Sequence, residues 1–251
     1  MIPKKIHYCW FGKAPLTEEA KKCINSWKKF MPDYEIIRWD ESNFDIGFCN
    51  YTQQAYECKK WAFVSDVARF YILYNHGGIY FDTDVELIKS LEPILLKGGF
   101  MGAENFVDKI AEGQSQKIAI APGLGLAVNP GLGLYKEILS YYENVDFLDK
   151  TGKFNNKTIV HITTEILKKH GLKDINEIQK IDQISIYPNE YFCPLDQDTG
   201  KLVITDNTYS IHWYSASWQS NYSKIKTKIK RLLGPRISQH IMKLKKHLKE
   251  I

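Results

Sequence analysis

The chain begins with an apolar run, Ile6 to Trp10, closed by Phe11-Gly12. A short continuous apolar run of this kind predicts a buried strand. Thr17 then offers a helix N-cap with Glu18 and Glu19 in the first turn. Ala20, Ile24, Trp27 and Met31 recur at helical spacing before Pro32-Asp33 ends the element. Tyr34 to Trp39 predicts a second strand, left through the polar loop Asp40-Glu41-Ser42-Asn43. Strand, helix and strand in this order make a βαβ unit with a right-handed crossover. A long helical stretch over 52–75 is broken by Gly77-Gly78, and Ile79-Tyr80-Phe81 is a short buried strand running into Asp82-Thr83-Asp84. Further strands are predicted over 99–103, 118–121, 184–187 and 208–213, and helices over 131–142 and 163–170. Alternating elements along most of the chain predict an α/β domain with a mixed sheet flanked by helices. The uncharged stretch 118–135 approaches the length of a membrane span, but it contains Pro122, Pro130 and four glycines. That content suits buried strand and turn, not a lipid-facing helix.

Composition narrows the class. With 251 residues, 44% hydrophobic and 25% charged, the chain can bury a sizeable core, which excludes a disordered tail, a collagen-like fibre and a disulfide scaffold. The five cysteines contain no C-x-x-C pair and read as reduced, packed thiols of a cytosolic protein. Met1-Ile2-Pro3-Lys4-Lys5 leads into a strand-like run and not into a signal peptide. The net charge of +5 hides an asymmetry: residues 221–251 hold ten of the 34 Lys+Arg and one of the 29 Asp+Glu, so a −4 body carries a +9 tail. In that tail Ile225, Ile229, Leu232 and Leu233 form one apolar stripe, and Ile237, Ile241, Leu244, Leu248 and Ile251 a second. A domain over 1–220 is therefore expected to end in a basic amphipathic helical tail over 221–251. The tail reads as an anchor on an anionic membrane surface, with nucleic-acid binding and helix pairing as rivals.

Two groups of residues carry candidate chemistry. Asp82 and Asp84 stand at i and i+2 after a strand and project to the same side. Paired hard oxygen donors suit Mn²⁺ or Mg²⁺ with coordination positions left open for a substrate diphosphate; the plain alternative is a polar turn. The strand exit also predicts that neutralising Asp84 costs little stability. Asp66 and Arg69 lie three apart on a helix whose neighbours Trp61, Phe63, Val64, Val67 and Phe70 leave little solvent-facing surface. Buried charges of this kind need partners, and sugar hydroxyls would serve. Glu104, after the strand over 99–103, is a further candidate facing the reacting centre.

Four segments carry a resemblance: 2–12, 32–43, the run from Ser65 to Asp84, and Ser210-Ile211-His212-Trp213-Tyr214-Ser215-Ala216-Ser217-Trp218. Together they resemble the bacterial glycosyltransferases of family 32, the DXD-containing group that includes capsular-polysaccharide transferases, and more distantly the glucosylating domains of the large clostridial toxins. The resemblance implies a GT-A fold, Rossmann-like and nucleotide-sugar-binding, with a nucleotide-diphosphate sugar as donor and Mn²⁺ or Mg²⁺ as cofactor. It also implies retention of anomeric configuration. Asp82 and Asp84 would meet metal, ribose and diphosphate, and Asp66 and Arg69 the donor sugar. His7, Trp10, Phe11 and Gly12 would line the nucleotide. His212 would be a third metal or phosphate contact, standing where the toxins have an acidic residue, and Ser217 and Trp218 would touch the diphosphate.

The expectation is thus a hexosyltransferase using a UDP-sugar. It would serve surface or capsular polysaccharide synthesis with a saccharide acceptor, lipid-linked, on the cytoplasmic face of the cell membrane, with no nucleic acid as partner. The rivals are a metal-dependent nucleotidyl or phosphoryl transferase and a non-enzymatic, basic-tailed nucleic-acid-binding protein.

Overall fold

A computed structural model describes residues 1–104, 118–155, 157–197 and 199–215. The 221–251 tail, the boundary at 220, and Ser217 and Trp218 lie outside the described residues.

The βαβ unit is present as β1 (Lys5–Cys9), α1 (Glu18–Phe30) and β2 (Glu35–Trp39), with the Thr17 hydroxyl accepting from the Ala20 amide at the helix start. The stretch 52–75 is two helices, α2 (Asn50–Glu57) and α3 (Trp61–His76). Lys59 between them takes a left-handed φ of 56°, which no helix interior accommodates. Without a glycine or proline there, the pattern gives no warning of the break. β3 (Gly78–Tyr80), β4 (Val85–Leu87), α4 (Glu92–Leu95) and β5 (Gly99–Glu104) follow. The uncharged stretch folds as β6 (Ala119–Ile120), a 3₁₀ turn over Pro122–Leu124 and β7 (Leu126–Val128), as its prolines and glycines require. Then come α5 (Gly133–Glu143), α6 (Ile159–Lys169), β8 (Gln179–Ile181), β9 (Ile184–Tyr187), α7 (Asn189–Phe192) and β10 (Ser210–His212). α6 starts earlier than its apolar periodicity suggests because Thr158 caps it, its hydroxyl accepting from the His161 amide.

The main sheet runs β2-β1-β3-β7-β5-β9-β8, with β6 beside β5. β1 is parallel to β2 and β3, while β7 is antiparallel to both β3 and β5. β5 and β9 therefore run in the same direction as β1 and β3, and the carboxyl ends of β1, β3 and β5 meet along one edge of the sheet. Open α/β sheets bind ligands in the crevice outside such an edge. The predicted strand over 208–213 is shorter and leaves the main sheet: β10 pairs antiparallel with β4.

Alternation along the strands divides the core. Ile79 and Phe81 face one apolar layer with Phe100 and the α1 residues Cys23, Ile24 and Trp27. Tyr80 and Met101 face the other, with Val64, Val67 and Phe70 of α3 and Tyr135 and Ile138 of α5. This is a sheet with a packed layer on each face. Trp27 is fully buried and its indole Nε1 donates to the Val85 carbonyl at 2.8 Å, tying α1 to the residue after Asp84. Trp27→Ala should cost about 3–5 kcal/mol, seen as a lowered urea midpoint, with Trp27→Phe in between.

Candidate active site

Three strand ends and one helix converge on a cleft of about 600 Å³, a volume typical of small-molecule sites. Cys9, Trp10 and Phe11 enter it from the end of β1, Asp82 to Asp84 from the exit of β3, and Glu104 from the end of β5. Ser65, Asp66 and Arg69 of α3, His212 at the end of β10 and Tyr214 beyond it add to the polar lining.

Arg69 is the hub. Its guanidinium is buried, with Nη2 at 2.9 Å from Asp66 Oδ1 and 3.2 Å from Asp82 Oδ1. Nε donates to the Ser65 carbonyl at 3.1 Å, and the planar group lies 5.0 Å from the centroid of the Tyr80 ring. The Tyr80 hydroxyl donates to Asp82 Oδ1 at 3.0 Å. The buried charges are therefore partnered within the chain, where sequence reasoning looked to sugar hydroxyls. One guanidinium serves two carboxylates, so burial holds the Asp66 carboxyl above the ordinary carboxylate range even though Arg69 draws it down. Asp82 is pressed against the 3₁₀ turn: its amide donates to the Gly123 carbonyl, and a Cβ on Gly123 would stand 2.0 Å from Asp82 Oδ2. Position 123 has room for glycine alone.

Asp84 points to a different set of partners. Its Oδ1 lies 3.2 Å from His212 Nε2 and its Oδ2 accepts from the Ser215 amide at 3.0 Å, while its carbonyl accepts from the Trp213 amide at 2.9 Å. Burial alone would raise the Asp84 carboxyl, but the His212 charge and these hydrogen bonds outweigh it and hold the group down at about 2. Burial likewise works against a charged His212, and the Asp84 carboxylate overrides it, keeping the imidazole protonated well above its usual range. Two expectations change. Neutralising Asp84 would strand a buried imidazolium, so it is not free of stability cost. And His212 Nε2, expected at the metal or a phosphate, is turned to Asp84 Oδ1 at 3.2 Å and serves as the counter-ion of that carboxylate. Among the described residues no cluster of three His, Cys, Asp or Glu forms a metal cage. What the cleft does offer is two partly exposed carboxylates, Asp82 and Asp84. That donor set fits a hard divalent ion whose remaining ligands come from elsewhere.

The other expected residues divide. Trp10 and Phe11 line the cleft, Trp10 Nε1 donating to the Ala14 carbonyl at 2.7 Å. Gly12 is a packing position: its φ is 91° and a Cβ there would lie 2.6 Å from the Trp61 indole. His7 is fully buried and lines no part of the cleft. Its Nδ1 accepts from Trp39 Nε1 at 3.0 Å and its Nε2 faces the Gly77 carbonyl at 3.0 Å, the pattern of a neutral ring with one acceptor and one donor. Burial pushes its pKa down to about 4. Glu104 does face the cleft and accepts from the Tyr214 hydroxyl at 2.9 Å. Sequence reasoning passed over Tyr80, Gly123, Tyr214 and the Ser215 amide. Gly123 sits in a Gly-rich run and Tyr214 two residues from His212, but their roles depend on contacts across the fold.

Comparison with known proteins bears on this cleft. Residues 17–100 match the family model described as a glycosyltransferase sugar-binding region containing a DXD motif. Inositol phosphoceramide mannosyltransferase 3 of Schizosaccharomyces pombe is 33% identical over 105 residues, 38% of this chain and 27% of that protein. The chain spans about a quarter to a third of the length of the two curated mannosyltransferases it matches. An uncharacterised glycosyltransferase of Acanthamoeba polyphaga mimivirus is 25% identical over 224 residues, covering 87% of this chain and 84% of that one. Among solved structures, the PaToxG glycosyltransferase overlaps 67% of this chain and 69% of its own at 20% identity, with a TM-score of 0.46. A glycosyltransferase involved in glycosylation of the major capsid of PBCV-1 overlaps 90% and 98% at 10% identity and a TM-score of 0.44.

The Asp84–His212 pair makes a stability prediction. A lowered carboxyl contributes stability above its ordinary value of 3.8, lost as pH falls towards 2; a raised imidazole contributes fully below 6.5, lost as pH rises through its folded value. The pair thus contributes most between those two ordinary values. Urea unfolding of wild type and His212→Gln should differ most near pH 5, with the gap shrinking by about pH 8.5.

Proposed function

We propose that the chain is a divalent-metal-dependent glycosyltransferase that moves a hexose from a nucleotide-diphosphate sugar, a UDP-sugar, to a saccharide acceptor with retention of configuration. The observation that carries this reading is the pair Asp82 and Asp84 at the carboxyl edge of the sheet, in a region that matches the DXD sugar-binding type, with Asp82 braced by Arg69 and Asp84 by His212. Asp82 and Asp84 would hold Mn²⁺ or Mg²⁺, which when bound neutralises charge developing on a departing diphosphate.

The chain's own side chains do the rest. Trp10 and Phe11 give the β1 end of the cleft aromatic walls suited to a nucleobase. Arg69 and Tyr80 fix the Asp82 carboxylate, and His212 with the Ser215 amide fixes that of Asp84, so neither has to reorganise when charge moves. Asp66 and Arg69 at the floor would meet the donor sugar. No carboxylate pair here is assigned as the nucleophile and acid/base of a glycoside hydrolase. The reading therefore takes a same-face substitution in which the leaving phosphate accepts the acceptor's proton, within a GT-A domain over 1–220.

The acceptor is taken to be lipid-linked, in surface or capsular polysaccharide synthesis on the cytoplasmic membrane face. Support comes from the +9 charge of residues 221–251 and from relatives named for a lipid substrate, inositol phosphoceramide. Among the described residues no helix is long and apolar enough to cross a membrane.

The test is a donor panel of UDP-glucose, UDP-galactose, UDP-N-acetylglucosamine and GDP-mannose with Mn²⁺. Release of nucleoside diphosphate, abolished by chelation, is expected; release of pyrophosphate or nucleoside monophosphate would instead mark a nucleotidyl or phosphoryl transferase. Asp84→Asn should lower turnover roughly 10²–10³-fold, and Gly123→Ala should do so by displacing Asp82. For the tail, removal of 221–251 should abolish sedimentation with anionic phospholipid vesicles, since each basic residue near such a surface contributes ~1 kcal/mol. Equal binding by the truncated chain would contradict the anchor.

A further inference from the structure

Tyr214 is a bulky aromatic residue with a φ of 50°, in the left-handed region that glycine favours. Such strain persists where the surroundings over-determine it, and it concentrates at functional sites. Here the flanking residues are pinned by one carboxylate-bearing residue: the Trp213 amide donates to the Asp84 carbonyl at 2.9 Å and the Ser215 amide to Asp84 Oδ2 at 3.0 Å. The chain between these two anchors must bulge, and the bulge carries the Tyr214 side chain into the cleft. Its ring packs against His212, centroids 4.2 Å apart. Its hydroxyl donates to Glu104 Oε1 at 2.9 Å and lies 2.9 Å from Cys193 Sγ, whose thiol is placed to donate in return. Among the described residues Glu104 makes no ion pair, and this hydroxyl is its hydrogen-bond partner.

The position of Glu104 along the sheet gives it a role. Trp10 and Phe11 follow β1, Asp82 and Asp84 follow β3, and Glu104 ends β5, separated from β3 by β7. On the transferase reading, nucleoside and diphosphate occupy the β1 and β3 ends, which leaves the β5 end for the incoming sugar. We infer that Tyr214 is a positioning residue: its hydroxyl holds the Glu104 carboxylate facing the cleft, where Glu104 accepts a hydrogen bond from a hydroxyl of the acceptor saccharide. A carboxylate oxygen accepts a hydrogen bond, and a saccharide hydroxyl is a donor that suits it. Because Asp84 pins both sides of Tyr214, the same residue that serves the donor also sets the acceptor contact.

This inference rests on the transferase reading, and the experiment separates the two. Transfer is measured with an octyl glycoside series varied at saturating active donor, and with the donor varied at saturating acceptor, for wild type, Tyr214→Phe, Glu104→Gln and the double variant, each with a thermal melt. Tyr214→Phe should raise the acceptor KM roughly tenfold, the value of one hydrogen bond to a charged group, with the donor KM within about twofold. The double variant should be no worse than Glu104→Gln alone, because the hydroxyl acts only through that carboxylate. Effects that multiply, or that fall on the donor KM, overturn the positioning role while leaving the transferase reading intact. A Tyr214→Phe protein that is unfolded at the assay temperature overturns it as well, by making the hydroxyl a support of the fold. Wild-type protein that releases no nucleoside diphosphate from any donor overturns the transferase reading, and this inference with it.

Discussion

A single buried guanidinium sets the geometry of the cleft. Arg69 is 3% exposed and cannot lose its proton, so it must be compensated wherever it is placed. Asp66, one helical turn away, supplies part of that compensation, and Asp82 on another element supplies the rest. The second contact makes the arrangement functional, because it fixes α3 against the exit of β3. Removing Arg69 would leave the buried Asp66 carboxylate without its cation, at a cost of about 3–5 kcal/mol. The same contact seats Asp82 against Gly123, where any larger residue collides, and leaves its carboxylate partly exposed to the cleft. A structural constraint and a ligand-facing carboxylate are thus one arrangement.

A second charged pair extends this outward. Asp84 draws the segment after β10 back across the cleft through His212, the Trp213 amide and the Ser215 amide. The clamp is reinforced on its outer side, where Trp213 Nε1 donates to Glu86 Oε2 at 2.7 Å and Lys22 reaches the same carboxylate at 3.0 Å. Chain segments far apart in sequence are therefore locked around two neighbouring aspartates. Since the lock is ionic at its centre, its strength follows pH, and since it passes through Tyr214, it reaches Glu104.

The sequence made the layers legible and the site half so. The βαβ start and the strand before Asp82 follow from local pattern: Thr17 caps, Pro32 stops, and Ile79 with Phe81 alternate against Tyr80. The break between α2 and α3 was hidden, because Lys59 adopts its left-handed backbone with no residue type to announce it. Asp66, Arg69, Asp82 and Asp84 were recognisable as charges in apolar surroundings or at a strand exit. Their partners were not, since Arg69–Asp82 and Asp84–His212 are long-range pairings that only the folded chain creates. His7 shows the converse: its place in a resemblance-bearing segment suggested the nucleotide, yet Trp39 and the Gly77 carbonyl consume both ring nitrogens.

On the transferase reading, Asp82 and Asp84 form an open, two-carboxylate site completed by the diphosphate of a nucleotide. Electron paramagnetic resonance titration of Mn²⁺ into the full-length protein, with and without UDP, tests it most directly. Two carboxylates alone should hold the ion weakly, and UDP should tighten it by at least about tenfold, with UDP affinity raised by the same factor by reciprocity. Stoichiometric Mn²⁺ binding that is tight without nucleotide and indifferent to UDP, or no binding in either state, would contradict the account.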